Sequence, residues 1–251
     1  MNELLDIQSL SKNFDGIKAL DRFSCQIRQG EILGLIGPNG AGKTTLFNVI
    51  TGFISGDSGK AYFQRKNIIS KSPHDICALG ISRTFQRLRL IHQMSVMENI
   101  LLGFQDQPGE NLTRVFFKSK QCINKDRGNR EKASVYLEDV GLKEKMDELA
   151  GNLSYGQQKL LSLVCCLVSE PKLLLLDEPV AGIAPFMMDK ILKIIESQSK
   201  NGKTIVMIEH NMDVISNFCQ RVIFMDMGRN ISEGTPEEVK NDPKVIEAYL
   251  D

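Results

Sequence analysis

Apolar positions along the chain come in short runs, separated by turn residues and by stretches of helical spacing. Runs around Leu4–Leu10, Ala19–Ile27, Glu31–Ile36 and Lys60–Phe63 read as strands, and a helix is expected over Gly42–Ile50. From about Arg87 to Leu167 the pattern changes. Helix formers dominate, β-branched runs are few, and charges cluster at Lys118–Lys132 and Glu138–Glu148. This middle region is expected to be a helical insertion whose charge clusters form a solvated helix face, with a mobile stretch near Gln105–Asn111. Alternation then resumes, with strands at Lys172–Leu176, Thr204–Ile208 and Val222–Met225 and helices at Phe186–Ser197 and Asp213–Cys219. Such alternation predicts an α/β domain built on a largely parallel sheet.

Composition narrows the class. A length of 251 residues suits one to two domains at roughly 150 residues each. With 42% hydrophobic and 25% charged residues the chain is of ordinary globular type, able to bury a core, and intrinsic disorder is not expected. Lys and Arg number 31, as do Asp and Glu, so no bulk field draws the chain to nucleic acid or an acidic membrane surface. The basic set Arg83, Arg87, Arg89 and His92 lacks interleaved aromatics, and nucleic acid is not an expected partner. The longest apolar run, Leu160–Val168 with Ser162 inside it, is about half of the roughly 20 residues needed to cross a bilayer. The N-terminus carries no basic or apolar targeting region. Six cysteines (Cys25, Cys77, Cys122, Cys165, Cys166, Cys219) show no CxxC and no metal spacing; they read as reduced, mostly buried thiols, as in the cytosol.

Two motifs carry chemistry. Gly37-Pro38-Asn39-Gly40-Ala41-Gly42-Lys43-Thr44 fits the P-loop pattern between an apolar strand and a helix. Its glycines let the loop close so that backbone N–H groups converge on one anion, and the helix N-terminus adds partial positive charge. Lys43 can then reach β- and γ-phosphates, Thr44 can take a place on Mg²⁺, and Thr45 can support the α-phosphate. The plainer alternative is a glycine-rich turn without a ligand. The second motif, Leu173–Leu176 followed by Asp177 and Glu178, is a buried parallel strand ending in two acids. Acids at that end of an open α/β sheet face the ligand edge. Asp177 suits Mg²⁺, and Glu178 suits proton abstraction from an attacking water; alone, such a pair would more often be a helix cap.

A third segment, Leu153-Ser154-Tyr155-Gly156-Gln157-Gln158, precedes an apolar helix starting near Gln157, with Ser154 as its N-cap and Gly156 allowing close approach. It lies about twenty residues before the acid pair. With this combination the chain resembles ABC-transporter ATP-binding subunits along essentially its whole length: P-loop Gly37–Thr44, signature Leu153–Gln157, acid strand Leu173–Glu178. The resemblance implies one ABC ATPase domain, with residues 1–86 and 168–251 as core with an N-terminal antiparallel β subdomain and residues 87–167 as a helical subdomain. It implies ATP and Mg²⁺ as cofactors. It places Gln86 (in Arg83-Thr84-Phe85-Gln86) on Mg²⁺ and the water, His210 on the γ-phosphate, and Phe14 on the adenine. Each also has an ordinary alternative: a solvent-facing strand end, an exposed histidine, a core phenylalanine.

The chain offers two anion-suited helix starts, at Gly42 and at Gln157, and one nucleotide occupies only the first. In the resembled family two subunits pack head to tail and each signature, with Ser154, Gly156 and Gln157, closes on the partner's ATP. Twofold closure makes that self-completing in a homodimer, and a homologous second subunit would serve equally. Arg83–Gln86, Leu88-Arg89-Leu90, Met94–Asn99 and Val245–Leu250 resemble the subfamily of branched-chain amino-acid and related importers. That implies an ATPase at the cytoplasmic membrane face, with membrane permease subunits whose short helix is received near Leu88, Leu90, Ile91 and Met94, and a solute-binding protein acting indirectly. Ala184 departs from the subfamily, which carries Asn there, and this bears on communication between the two ATP sites. The rival readings are a lipid or lipopolysaccharide extractor ATPase and an ABC-type scaffold ATPase of iron–sulfur assembly.

Overall fold

The structure is a computed structural model that describes residues 3–105 and 120–248. Residues 106–111 of the stretch expected to be mobile, the first charges of the Lys118–Lys132 cluster, and Tyr249 and Leu250 lie outside the described residues, as does the side chain of Cys122.

The strands are β1 (Glu3–Phe14), β2 (Ile17–Arg28), β3 (Ile32–Ile36), β4 (Ser58–Phe63), β5 (Lys66–Asn67), β6 (Ile81–Arg83), β7 (Leu173–Asp177), β8 (Thr204–Ile208), β9 (Arg221–Asp226) and β10 (Arg229–Gly234). The helices are α1 (Lys43–Ile50), α2 (Pro73–Leu79), α3 (Val96–Leu101), α4 (Lys120–Asp139), α5 (Tyr155–Leu167), α6 (Pro185–Lys200), α7 (Met212–Phe218), α8 (Pro236–Lys240) and α9 (Pro243–Ala248). They cluster into two compact units: Met1–Gln86 with Lys172–Ala181 and Leu192–Asp251, and Arg87–Pro171 with Gly182–Ile191.

The first unit holds two sheets. One is antiparallel, in the order β2-β1-β4-β5; the other runs β10-β9-β3-β8-β7-β6, with β6, β7, β8, β3 and β9 parallel and β10 antiparallel at one edge. The β1–β2 ribbon turns through Asp15 and Gly16, both at positive φ, with Phe14 paired to Ile17. An Asp-Gly pair suits the two-residue turn whose twist matches the ribbon. Leu5, Leu10 and Phe23 from this sheet and Leu35, Leu175 and Ile223 from the other join Leu46, Phe47 and Ile50 of α1 in one core. The parallel strands β3, β7 and β8 are buried throughout, as expected of a sheet covered on both faces.

Several elements carry no sequence expectation: α2, β6, β10, α8 and α9. The first two are short and joined by Gly80, whose φ of 102° ends α2 and turns the chain directly into β6. Three residues are too few for any periodicity to show, and β6 exists because β7 supplies the ladder on which it lies.

The second unit is helical. Ser95 and Glu98 form a capping box at the start of α3. Buried Asn99 pins the preceding loop through the carbonyls of Ile91, Met94 and Ser95, while its side-chain oxygen accepts from the Ile91 N–H. Along α4 the pairs Arg127–Glu131 and Arg130–Asp126 are exposed, while Ala133 and Leu137 are buried, so the charged face is solvated. Among the described residues no cysteine is in a disulfide; burial pushes the thiols of Cys25 and Cys219 up to about 12, which leaves them inert.

Candidate functional site

At the carboxyl end of β3 the chain passes through Gly37–Gly42 into α1. Two glycines there are required by their surroundings. A Cβ on Gly37 (φ 145°) would lie 1.9 Å from the Met225 carbonyl oxygen, and one on Gly42 (φ 101°) 2.2 Å from that of Ala19. The backbones of β9 and β2 therefore hold the loop from outside. The Gly228 N–H donates to the Ala41 carbonyl, which anchors it further. Gly42 is the N-cap of α1, and no side chain caps it. The first turn of α1 thus presents its N–H groups outward, as an anion site needs.

Lys43 is buried, and its Nζ donates to the Gly37 and Pro38 carbonyls at 2.7 and 2.8 Å. Burial lowers its pKa, opposed by the carboxylates of Glu178 and Asp177. Pro38 and Thr45 are half-buried, while Asn39, Gly40 and Thr44 are exposed. A polyphosphate fits this cradle: it would satisfy the uncapped turn and return an anionic partner to a buried cation.

Asp177 ends β7. Its Oδ2 accepts from Arg83 Nη2 at 2.8 Å, both side chains being almost wholly buried. Burial raises the carboxyl's pKa, and the Arg83 hydrogen bond and charge oppose the rise. Arg83 also donates through Nη1 to Asn48 of α1, and its guanidinium lies 5.3 and 4.8 Å from the ring centroids of Phe47 and Phe85. In the sequence Arg83 stands in a basic set and in the run Arg83–Gln86, with no role expected of its own side chain. In the fold it is an interior cation joining the acid strand to the P-loop helix. Its partner lies 94 residues away, beyond the reach of any local pattern.

Glu178 follows with φ 50°, its N–H donating to the Ile208 carbonyl beyond the end of the β7–β8 ladder. The structure brings three of the expected residues together here. Gln86 Nε2 donates to Glu178 Oε2 at 3.1 Å, and His210 Nε2 lies 3.3 Å from Glu178 Oε1. Each oxygen of the carboxylate thus faces one of the two residues, which arrive from β6 and β8. Phe14 stands apart from this trio, at the hairpin end of β1; it is 40% exposed, with Lys12 Nζ 5.4 Å from its ring centroid, so it is not a core residue.

As ligands for Mg²⁺, Thr44 and Asp177 offer hard oxygen donors. Among the described residues no cluster of three or more His, Cys, Asp or Glu could hold a metal alone.

The signature residues lie in the other unit. The Ser154 hydroxyl accepts from the Gln157 N–H, and Gln157 Oε1 accepts from the Ser154 N–H at 3.0 Å, a complete capping box at the start of α5. Gly156 is close-packed: a Cβ there would lie 2.8 Å from Met187. The helix begins two residues before Gln157, at Tyr155, and the box engages the N–H groups of Ser154 and Gln157.

Comparison with known proteins decides the family. The model of the ABC transporter family matches residues 20–181. The chain belongs to the ABC transporter family. A second model, described as branched-chain amino acid ATP-binding cassette transporter, matches residues 229–250 of the cassette. A Methanocaldococcus jannaschii protein named "probable branched-chain amino acid transport ATP-binding protein LivG" is 40% identical over 99% of this cassette and 97% of its own length. A Salmonella typhimurium protein named "high-affinity branched-chain amino acid transport ATP-binding protein LivG" is 36% identical over 98% and 97%. A crystal structure of a nucleotide-free ATP-binding cassette from an ABC transporter superposes with a TM-score of 0.86 at 39% identity, covering all of both chains. One of an ATP-binding cassette in its ADP conformation gives 0.84 at 36% identity, over 100% and 99%. The expected α/β P-loop fold of ABC type, with its largely parallel sheet and antiparallel N-terminal sheet, is the one observed. Among the described residues no helix is long and apolar enough to cross a membrane.

Proposed function

We propose that this cassette is the ATP-hydrolysing subunit of an ABC importer for branched-chain amino acids or a related polar solute. The observation that carries the chemistry is the bracketing of Glu178 between Gln86 and His210 beside the P-loop. The cargo rests on the relatives named for branched-chain amino acid transport and on the match over residues 229–250.

In this reading Gly37–Thr45 cradle the phosphates of ATP through backbone N–H groups, with Lys43 swinging from the loop carbonyls onto the β- and γ-phosphates. Phe14 stacks on the adenine. Thr44, Asp177 and Gln86 hold Mg²⁺, which when bound neutralises charge on the phosphate oxygens. Glu178 accepts a proton from the attacking water, and His210 holds both that carboxylate and the γ-phosphate edge in place. Residues 1–86 and 168–251 act as the ATPase core and 87–167 as its helical arm, with Gln86 at the joint. Ser154, Gly156 and Gln157 complete the nucleotide site of a second ABC ATPase subunit, identical or homologous, and receive that subunit's in exchange. The pair sits peripherally at the cytoplasmic membrane face beneath permease subunits, and a solute-binding protein delivers the cargo.

Glu178→Gln tests the reading directly. Turnover is expected to fall about 10²–10⁴-fold while ATP still binds and an ATP-bound dimer accumulates in sizing experiments. Unchanged hydrolysis would remove Glu178 as the base. Pull-down from detergent-solubilised membranes tests the cargo side: two polytopic chains should accompany the cassette, and recovery with non-membrane proteins only would reject transport.

A further inference from the structure

Glu209 sits between β8 and His210 and has no part in the chemistry described above. It is 3% exposed. Its Oε1 accepts from the Val180 N–H at 3.0 Å and its Oε2 from the His210 N–H at 3.3 Å. These two donors belong to the two loops that carry the proposed base and the proposed histidine. The β7–β8 ladder ends with Asp177 opposite Ile208, followed by one bond from the Glu178 N–H to the Ile208 carbonyl. No ladder pair follows, and Glu178 turns through φ 50°. The Glu209 side chain takes over where the ladder stops and supplies the next acceptor, to Val180.

We infer that Glu209 is a positioning residue for hydrolysis: its buried carboxylate ties the turn after Glu178 to the backbone of His210 and so sets the distance at which Glu178 and His210 meet. The inference rests on the roles proposed above for those two residues. A carboxylate suits this task better than an amide, since both of its oxygens accept, whereas a glutamine offers one acceptor and must turn an N–H₂ toward one of two N–H donors. A buried donor left unpaired is also costly. The arrangement closes a small ring: Glu178 side chain to His210 ring, His210 N–H to Glu209, and Glu209 to Val180 N–H. Loosening either Glu209 bond frees the Glu178–His210 separation without touching the P-loop backbone, which packs against Ala19 and Met225 and bonds to Gly228.

Glu209→Gln tests this, with hydrolysis, ATP affinity and amide exchange measured on the same preparation. Expected are faster exchange at residues 178–181 and 208–211 with β7 and β8 still protected, and kcat lower by about tenfold to a hundredfold. The dissociation constant for ATP should stay within about twofold of the parent, because binding is held at α1. Unchanged kcat despite the local loosening would make Glu209 a plain structural brace and overturn the inference. So would ATP affinity falling in step with kcat. Should the glutamine variant not fold, Glu209→Asp, which keeps both carboxyl oxygens on a shorter arm, is read in the same way. Glu178→Gln separates the two levels: if it hydrolyses normally, the assignment of Glu178 fails; if it is inactive and Glu209→Gln is not, only Glu209 fails.

Discussion

The helices α1 and α5 begin in opposite ways. At α1 the N-cap is a left-handed glycine with no side-chain cap, and the nearby lysine folds back onto loop carbonyls. At α5 the N-cap is Ser154, closed with Gln157 in a reciprocal box. Both segments read as anion-suited from sequence, yet only α5 has a side-chain cap. The reason is local chemistry: a glycine cannot satisfy the donors of the turn it starts, whereas serine and glutamine satisfy two at once. The start of α1 therefore leaves its donors to a ligand or to water, whereas α5 satisfies two of its own.

The largest effect bearing on this contrast concerns what holds α1 from within. Arg83→Met removes a buried cation from Asp177 and Asn48, and breaking a buried pair is expected to cost about 3–5 kcal/mol, read from urea unfolding. A loss below about 1 kcal/mol would show that α1 and the acid strand need no such tie. Next comes Lys43→Ala. ATP affinity by calorimetry should fall about tenfold to a hundredfold, since charge-assisted hydrogen bonds to the phosphates disappear. Normal affinity would dissolve the distinction drawn for α1.

Ser154→Ala is smaller. It should lower stability by about 1 kcal/mol through loss of the cap, with ATP affinity of the isolated cassette unaltered. If the isolated variant binds ATP more weakly, the two helix starts are not independent. The smallest effect separates two boxes of the same design. At α3 the box uses Glu98, whose pKa is held below 4.5, chiefly by the hydrogen bond from the Ser95 N–H. A lowered folded pKa means that the stabilisation is present above the ordinary value and fades as pH falls through the lowered one. Amides 95–99 should therefore exchange faster in acid, corrected for intrinsic rate, while amides 154–158, boxed by uncharged Gln157, should not. Equal behaviour would show that the acid does not govern the α3 cap.

Much of the site was legible because its parts are local. Gly37 through Thr44 are contiguous, and the glycines at 37 and 42 are demanded by their own dihedral angles and close contacts. The strands β3, β7 and β8 announced themselves as unbroken apolar runs. Gln86, by contrast, meets Glu178 across 92 positions, and Arg83 meets Asp177 across 94. Nothing at position 83 marks it as interior; an arginine in a run containing Arg87 and Arg89 looks solvated. Only the pairing of β6 with β7, Arg83 opposite Leu175, carries it inside and makes the ion pair compulsory. Glu209 is similar. Beside a histidine in sequence, it gains its role from Val180, 29 residues away.

The P-loop, the buried strands, the acid pair and the helical character of the middle region were all written in the order of residues, because periodicity and glycine geometry act within a few positions. The bracketing of Glu178 by Gln86 and His210, the interior pairing of Arg83 with Asp177, and the contrast between an open and a closed helix start came only with the folded chain. Those outcomes depend on which strands lie side by side and on which side chains then find donors at under 3.5 Å. Short-range pattern sets the first kind of fact, and long-range hydrogen bonding in a low-dielectric interior sets the second.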